Sequence, residues 1–323
     1  MTDAHLLITE HIDIWTSAIK KRSATGRGSS KKIELTGIKK LRELILELAV
    51  RGKLVSQDPN DESASVLLER IAAEKVQLIK DKKIKKTKAL PEIMEGEKLF
   101  ELPNGWEWMR LGYGFNSIIS GGTPSKRDPS FWNGDIPWAS VKDLGSEKYI
   151  SKTQDYITKK GLVSGSKLAD IGDILICTRM GLGKIAIATN PIAFNQDLKA
   201  VKLTSKLDVE FFINSYSTLK IKGTGTTVAG IKQEELLSYV IGLPSRPEQL
   251  RIVAKVDELM LLCDQLEQQT EDSITAHQTL VETLLATLSN SENPAAFKQN
   301  WTRIAEHFDT LFTTEHSIDQ LKQ

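Results

Sequence analysis

The stretch Ile8-Thr9-Glu10-His11-Ile12-Asp13, near the start of the chain, returns near its end as Ile304-Ala305-Glu306-His307-Phe308-Asp309. Each copy is followed by an amphipathic segment, at residues 38–43 in the first copy and 318–323 in the second. The first segment continues to Ala49, and the second stops at Gln323. Because an internal repeat sets the architecture of a chain, we expect two equivalent helical scaffolds that flank one unrelated central segment.

Composition limits the class of protein. A chain of 323 residues can hold two or three units, each with its own core. No apolar run approaches the roughly 20 residues of a membrane span, and residues 1–5 do not begin a secretion signal. With only Cys177 and Cys263, which are far apart, we expect a cytoplasmic chain without disulfides. The histidines are scattered, so we expect no metal site.

The overall charge of +1 conceals a segregation along the chain. The net charge is +4 over residues 1–104, +4 over residues 105–245 and −7 over residues 246–323. A polyanion would therefore bind the centre rather than the acidic end. Such a balance is also common in proteins that never meet nucleic acid, so charge alone does not identify a partner.

The first hundred residues are typical of helices separated by loops. We predict a short helix at residues 3–20, a flexible loop at 23–30, a second helix that ends near Gly52, and a third helix at about 64–80. A lysine-rich run follows at residues 80–88. This run either contacts the phosphates of DNA or forms a solvated linker.

From Leu102 onward, glycine, proline and aromatic residues become more frequent, and short β-type runs appear between turn residues. The sequence therefore predicts an α+β protein, in which one strand-rich α/β domain is flanked by helical regions. The predicted bounds are 1–101 for the first helical region and linker, 102–245 for the strand-rich domain, 246–290 for a long helix, and 291–323 for the start of the second helical repeat.

A seven-residue apolar period marks the predicted long helix. Such a period is typical of the apolar seam along which helices pack in a coiled coil. The polar residues Thr270, Ser273 and His277 in its middle predict weak packing there. Forty residues without glycine or proline would span about 60 Å, although an ordinary bundle helix is the alternative. The predicted seam residues are Ile252, Val256, Leu259, Cys263, Leu266, Leu280 and Leu284.

No catalytic motif is complete in this sequence. Asn190-Pro191-Ile192-Ala193-Phe194 is only faintly similar to the Asn-Pro-Pro-aromatic motif of adenine-N6 methyltransferases, because the second proline is missing and the aromatic residue is one position late. Gly181-Leu182-Gly183 lies between two short strands and does not open a helix, as a dinucleotide-binding loop would. We expect a chain without catalytic residues.

Four polar loops in the strand-rich domain carry groups that suit DNA. Backbone amides, hydroxyls and cations hold phosphates, arginine pairs with guanine, and asparagine or glutamine pairs with adenine. Each loop alone is more often only a turn, but four on one domain favour a binding surface. The candidate residues are Thr123, Ser125, Lys126, Arg127, Ser140, Lys142, Arg179, Lys184, Asn195, Gln196, Thr224 and Thr226.

Taken together, these motifs resemble the specificity (S) subunit of type I restriction–modification enzymes over nearly the whole chain. The second helix is similar to the family's first conserved segment, and Leu102-Pro103-Asn104-Gly105-Trp106 is similar to the entry into its target recognition domain. The order of the motifs also agrees with the family. The similar stretches are residues 41–55, 102–108, 121–124, 132–138, 172–176 with Arg179 and Gly183, and 247–253.

The resemblance implies a subunit that reads double-stranded DNA and performs no chemistry. Family members normally hold two recognition domains, joined by two long helices that set the distance between half-sites of a split target. Methyltransferase (M) subunits dock on the scaffold, restriction (R) subunits join them, and S-adenosylmethionine binds the M subunit, so no cofactor is expected on this chain. About 60 Å of helix corresponds to about 18 base pairs at 3.4 Å each.

This sequence departs from the family pattern because it has one recognition domain. It is expected to be a natural half-length subunit or a truncated one, and in either case two copies would pair through residues 248–288 and read a palindromic split site. Two other classes stay open: an adenine-N6 methyltransferase with a built-in recognition domain, and a coiled-coil scaffold that does not contact DNA.

Overall fold

The computed structural model describes residues 10–18, 20–21, 33–145, 147–224, 229–312, 318 and 321. The chain divides into two compact units: unit 1 is built mainly from Arg42–Leu259, and unit 2 from His11–Leu41 and Met260–Gln323. The predicted α+β class is confirmed, because helices and strands are both abundant. The two units cut across the four predicted segments, whose bounds stay a prediction.

The described residues form ten α-helices, and none of them is both long and apolar enough to cross a membrane. The first helix lies within the predicted 3–20 helix, whereas the predicted loop at 23–30 lies outside the described residues. The helices are α1 Ile12–Ser17, α2 Thr36–Val50, α3 Ala64–Lys80, α4 Leu111–Gly114, α5 Lys159–Gly165, α6 Val209–Ser217, α7 Gln233–Ser238, α8 Arg246–Ser289, α9 Pro294–Glu306 and α10 Phe308–Leu311.

The strands of unit 1 form a five-stranded and a four-stranded sheet, together with one two-stranded ladder. The strands are β1 Lys20–Lys21, β2 Ile33–Glu34, β3 Glu107–Arg110, β4 Phe115–Ser120, β5 Trp132–Ala139, β6 Tyr149–Ile150, β7 Asp155–Ile157, β8 Lys167–Ala169, β9 Ile174–Cys177, β10 Ile185–Ala188, β11 Ile192–Phe194, β12 Leu198–Leu203 and β13 Val240–Leu243. The orders are β4-β12-β9-β10-β6, β7-β5-β11-β8 and β13-β3, and β1 pairs with β2 in unit 2. Most pairs are antiparallel, but β6 with β10 and β5 with β11 are parallel.

One core lies between the two large sheets. Leu175 of β9 and Ala186 of β10 meet Ala169 of β8 and Phe194 of β11 there, and all four are buried. Phe212 of α6 packs against Phe115 of β4 in the five-stranded sheet, with ring centroids 5.6 Å apart, and all four residues of β9 are buried. A strand buried on both faces reads as a continuous apolar run, which explains why β9 is so evident in the sequence.

Gly52 ends α2, as the sequence predicts. It adopts a left-handed backbone with a φ of 65°. The N–H groups of Gly52 and Lys53 donate to the carbonyl oxygens of Ala49 and Leu48 at 3.2 and 2.9 Å. This Schellman pattern satisfies carbonyl groups that the helix leaves open at its end.

Glu74 attaches α3 to the strand-rich part of unit 1. Its carboxylate accepts hydrogen bonds from Asn116 at 2.8 Å, from the Thr204 hydroxyl at 2.9 Å, and from the backbone and hydroxyl of Ser205 at 3.1 and 2.8 Å. Burial opposes its charge, but these donors lower the pKa of Glu74. The helix predicted at 64–80 therefore has a polar anchor besides its apolar face.

Arg110 holds the segment that follows the lysine-rich run. The side chain is only 2% exposed. It donates to the carbonyl oxygens of Pro91 and Glu92 at 2.6 Å each, and to both carboxylate oxygens of Glu97 at 2.9 Å. A buried guanidinium needs such full pairing. The lysines of residues 82–88 are exposed, which suits both a solvated linker and a phosphate contact.

The first turn of α8 is bound to unit 1 by buried polar groups. Gln249 is fully buried, accepts from the Asp208 N–H at 2.8 Å and donates to the Pro244 carbonyl oxygen at 3.1 Å. Arg251 makes a two-pronged contact with the Asp61 carboxylate at 2.6 and 3.4 Å. The start of the long helix is therefore fixed to the rest of unit 1 in position and in rotation.

The buried stripe of α8 differs from the predicted seam. Leu280 is 50% exposed, whereas its neighbour Val281 is 1% exposed. A straight helix drifts by about 20° per heptad, so the stripe moves by nearly one residue over four heptads. Leu266 and Leu284 are partly buried. Four of the predicted seam residues are buried within this chain, so the prediction that they contact a second copy is corrected. They are Ile252, Val256, Leu259 and Cys263.

Unit 2 contains the second copy of the repeat and the first copy from His11 onward, and the histidines of the two copies share a backbone conformation. His11 precedes α1 with φ and ψ of −120° and 25°, and His307 precedes α10 with −118° and 18°. Each histidine carbonyl accepts hydrogen bonds from the residues three and four positions ahead. Of the second amphipathic segment, only Ile318 and Leu321 are described. The core of unit 2 is formed by Val281, Leu288, Ile304, Leu311 and Phe312.

Lys75 of α3 predicts a pH dependence of stability. Its ammonium group donates to the Gly112 carbonyl oxygen at 2.9 Å, and burial lowers its pKa from 10.5 to about 8. Between those two values the unfolded chain binds the proton more strongly, so the free energy of unfolding should rise as the pH rises from 8 towards 10. Urea unfolding of the wild type and of Lys75→Met at several pH values between 8 and 10 measures this rise in the free energy of unfolding. The rise must be smaller in the variant; equal slopes would contradict the assignment.

Candidate nucleic-acid interface

Loop A (residues 121–127) follows β4 and lies directly against the end of β11. A Cβ atom at Gly121 would stand 2.2 Å from the carbonyl oxygen of Asn195, and Gly122 is as tightly enclosed. Only glycine fits so close to another backbone. The Gly122 N–H donates to the Phe194 carbonyl oxygen at 2.9 Å, which fixes the start of the loop.

Side chains hold the rest of loop A. The indole N–H groups of Trp132 and Trp138 donate to carbonyl oxygens of the loop at 3.1 Å each. Their rings meet edge to face with centroids 5.1 Å apart. The Thr123 hydroxyl donates to the side-chain oxygen of Gln196. Loop A is thereby joined to the turn that follows β11.

That turn, loop C (residues 195–197), is closed by its own side chains. The Asp197 N–H donates to the Asn195 side-chain oxygen at 3.0 Å, and the Asn195 amide donates back to the Asp197 carboxylate at 3.2 Å. The Asp197 carbonyl oxygen accepts from the Thr178 N–H at 2.8 Å. Its carboxylate lies 3.5 Å from the guanidinium of Arg179. Loop C therefore connects loop A with the loop after β9.

The loop after β9, loop B (residues 179–184), contacts loop D (residues 223–224 and 229–230). Arg179 and Gly230 form an isolated antiparallel bridge, and the Thr224 N–H donates to the Gly230 carbonyl oxygen at 2.9 Å. Loops A, B, C and D thus form one connected surface, although they are up to a hundred residues apart in the chain.

A further turn joins this surface next to loop B. The Ser140 hydroxyl and N–H donate to the Asp143 carboxylate at 2.9 and 2.8 Å. The Lys184 ammonium donates to the Val141 carbonyl oxygen at 3.0 Å. Lys142 stays exposed between them. Ser140 and Lys184 therefore support the surface, and Lys142 is available to a ligand.

The predicted residues fall into two groups by exposure. Lys126, Arg127 and Lys142 are exposed, with no carboxylate within 4 Å among the described residues, and Arg179 is half exposed. Asn195 is 6% exposed and its amide is used within loop C. Its predicted base-reading role is therefore corrected to a structural one. Of the remaining predicted residues, Ser125, Gln196 and Thr224 are exposed, Thr123 is partly exposed, and Thr226 lies outside the described residues.

Lys199 is a cation that the sequence reasoning missed. It lies on β12 opposite Ser120, the residue before loop A, and donates to the serine hydroxyl. Burial lowers the pKa of Lys199, and no carboxylate of the described residues lies within 4 Å of it. Such a desolvated cation attracts an anion more strongly than a solvated one. A lysine within the largely apolar pattern of β12 is the signal that could have identified it.

Metal ligands and a reactive thiol are not assembled in the described part of the chain. No group of three His, Cys, Asp or Glu residues there could hold a metal ion. Cys177 is buried, its thiol donates to the Arg179 carbonyl oxygen at 2.9 Å, and burial raises its pKa. The thiol is therefore protonated near neutral pH. The groups that the surface does present are hydrogen-bond donors, acceptors and cations.

The neighbours Asn195 and Gln196 should respond differently to truncation. Asn195→Ala leaves buried partners unpaired and should lower the free energy of unfolding by about 1–3 kcal/mol. Gln196→Ala removes an exposed side chain and should change it by no more than about 0.5 kcal/mol. Urea unfolding of both variants measures the difference. Equal losses would show that Asn195 does not support loop C.

Known proteins similar to this chain are specificity subunits. The chain is 46% identical over 340 residues to the type I restriction enzyme EcoEI specificity subunit of Escherichia coli, covering 98% of this chain and 55% of that one. It is equally identical over 346 residues to the EcoAI specificity subunit of the same organism, with the same coverage. The chain spans about half the length of these curated relatives.

Two solved structures are similar to the chain at lower identity. The crystal structure of the HsdS subunit from Thermoanaerobacter tengcongensis matches with a TM-score of 0.43 and 19% identity, over 92% of this chain and 66% of that one. A structure described as showing complex assembly and conformational transition of the type I R-M system matches with a TM-score of 0.49 and 20% identity, over 85% and 67%.

A family model covers the surface described above. The model of the type I restriction modification DNA specificity domain matches residues 103–276, which include loops A to D and the first part of α8. This match covers more than half of the chain. The chain therefore belongs to the family of type I restriction–modification DNA specificity domains.

Proposed function

We propose that unit 1 binds double-stranded DNA through loops A to D and reads one half-site of a split target. The observation that carries this proposal is the joining of four distant loops into one surface, on which Lys126 and Arg127 are exposed with no carboxylate within 4 Å among the described residues. Lys126 and Arg127 suit phosphates, and Gln196 and Arg179 suit base edges. The names of the similar proteins support the same function.

Phosphate contacts by loop A predict a change in salt dependence. Each lost contact reduces the slope of log affinity against log salt by about 0.9, so Lys126→Ala with Arg127→Ala should reduce it by about 2. Fluorescence anisotropy with the full chain and labelled duplex, at several salt concentrations, measures the slope.

The matched control is the double variant Lys85→Ala with Lys86→Ala in the lysine-rich run. It removes the same number of exposed cations from a segment outside loops A to D. A solvated linker predicts an unchanged slope, whereas an equal decrease would assign phosphate contacts to the run. Wild-type affinity that does not vary with salt would contradict DNA binding and favour the scaffold alternative.

We also propose that the helical parts dock methyltransferase (M) subunits, which restriction (R) subunits then join. S-adenosylmethionine would bind the M subunit rather than this chain. Phe297 and Trp301 are four residues apart on one face of α9 and are 49% and 41% exposed. Exposed aromatic side chains are enriched at protein interfaces, which supports a docking role for this face.

Self-association is the third part of the proposal, and it uses the exposed face of α8. Leu280 is 50% exposed beside Ala276. On the same face, the hydroxyls of Thr275, Thr279 and Thr283 each donate to the carbonyl four residues earlier, at 2.8 to 3.0 Å. Satisfied hydroxyls make this face easier to desolvate. Two copies packed here would read a palindromic split site.

Leu280→Glu should therefore weaken self-association, because it places a charge in the packed face. The control is Leu250→Glu, which changes a leucine of equal exposure, 50%, at the start of the same helix. Sedimentation of both variants measures the dimer fraction.

Methylated-base sequencing of cells that carry the chain with its M subunit should return a palindromic split motif. An asymmetric motif would contradict the proposed self-association but not the docking of M subunits. An absence of methylation would contradict the docking of M subunits.

A further inference from the structure

Met180, in loop B, combines two features that folding alone does not favour. Its φ is 61°, in the left-handed region, and its side chain is 68% exposed. Glycine and asparagine adopt this backbone readily, but a methionine is strained there. An exposed methionine also gains no stabilisation from burial. Local strain at an exposed loop residue is a feature of binding sites.

The backbone around Met180 is held from several sides. Its N–H donates to the Ala229 carbonyl oxygen at 3.1 Å. The Cys177 N–H donates to the Lys184 carbonyl oxygen at 3.0 Å and closes loop B. A Cβ atom at Gly181 would stand 2.6 Å from the Val141 side chain, so loop B packs closely against the turn that contains Val141. The Met180 side chain therefore projects from a rigid support.

The surroundings of Met180 are those of a DNA-contacting group. Arg179 precedes it, half exposed, and its guanidinium is held beside Asp197 of loop C. Through that contact loop B is joined to loop C and, through Gln196 and Thr123, to loop A, which carries the exposed cations Lys126 and Arg127. An exposed apolar side chain at this place has no hydrogen bond to offer to a phosphate or to a base edge. Its possible contacts are the flat faces and methyl groups of bases.

We propose that Met180 inserts between two adjacent base pairs of the bound half-site. Apolar side chains, methionine among them, enter base steps in this way, unstack them partly and kink the duplex. Pyrimidine–purine steps deform most easily, so Met180 would add a preference for such a step without a hydrogen bond. The inference rests on the proposed DNA-binding function and adds a specificity-determining residue to it.

The test uses the full chain and duplexes enriched from a random library by the wild type. A 2-aminopurine base placed at successive positions reports local unstacking as a rise in fluorescence. The wild type should raise it at one step. Met180→Ala should abolish that rise and bind about tenfold more weakly, with an unchanged salt slope because no phosphate contact is lost.

Two further variants separate this role from folding. Ile171 is also 68% exposed and lies before the other end of β9, so Ile171→Ala should keep both the fluorescence rise and the affinity. Met180→Asn suits the left-handed backbone and should melt at a higher temperature than the wild type, yet lose the fluorescence rise.

The outcomes are distinguishable. Enriched duplexes that show no fluorescence rise with the wild type, or an unchanged rise with Met180→Ala, would overturn the insertion while leaving DNA binding in place. Weaker binding by Met180→Ala that disappears when thymine methyl groups are removed from the duplex would assign a methyl contact instead and also overturn it. If the library yields no enriched duplex, the proposed function itself fails.

Discussion

The turn formed by Asn195 and Asp197 is the contact on which the candidate surface depends. Its side chains pair with each other, its backbone carbonyl receives the N–H of Thr178, and its carboxylate faces Arg179. The side chains of this turn and Thr178 are buried, so the bonds among them are stronger than on an open surface and each loss costs more. A domain that reads DNA needs its loops in constant relative positions, and a small buried polar turn provides that position for several loops together.

Polar contacts also decide how the helices meet the strand-rich domain. Glu74 on α3 and Gln249 on α8 both use side chains whose hydrogen bonds have fixed directions. Apolar packing would tolerate a small rotation of either helix, whereas these bonds do not. The strand-rich domain is therefore attached to α3 and to the first turn of α8 in one orientation, which suits the proposed DNA-reading surface.

Much of the helical and strand framework could be predicted because it depends on periodicity. The bounds of α3 and α8 and the buried β9 follow from apolar spacing, and Gly52 follows from the backbone geometry of a helix end. The burial of Asn195 could not be predicted in the same way, since the sequence around an amide in a polar loop is the same whether its side chain is buried or exposed. The seam of α8 was misplaced near Leu280, because a seven-residue count ignores the drift of a straight helix. The burial of Lys199 and the backbone strain at Met180 could not be predicted, since both depend on neighbours that are distant in sequence.

The anchoring by Arg110 has a consequence for the lysine-rich run. Residues before the run are fixed to the domain through Glu74, and residues after it are fixed through Pro91, Glu92 and Glu97. The run is therefore an exposed bridge between two anchored points, not a hinge. A trypsin cut within residues 82–88 would break the covalent chain there, yet both fragments would stay bound to the same domain and travel as one particle.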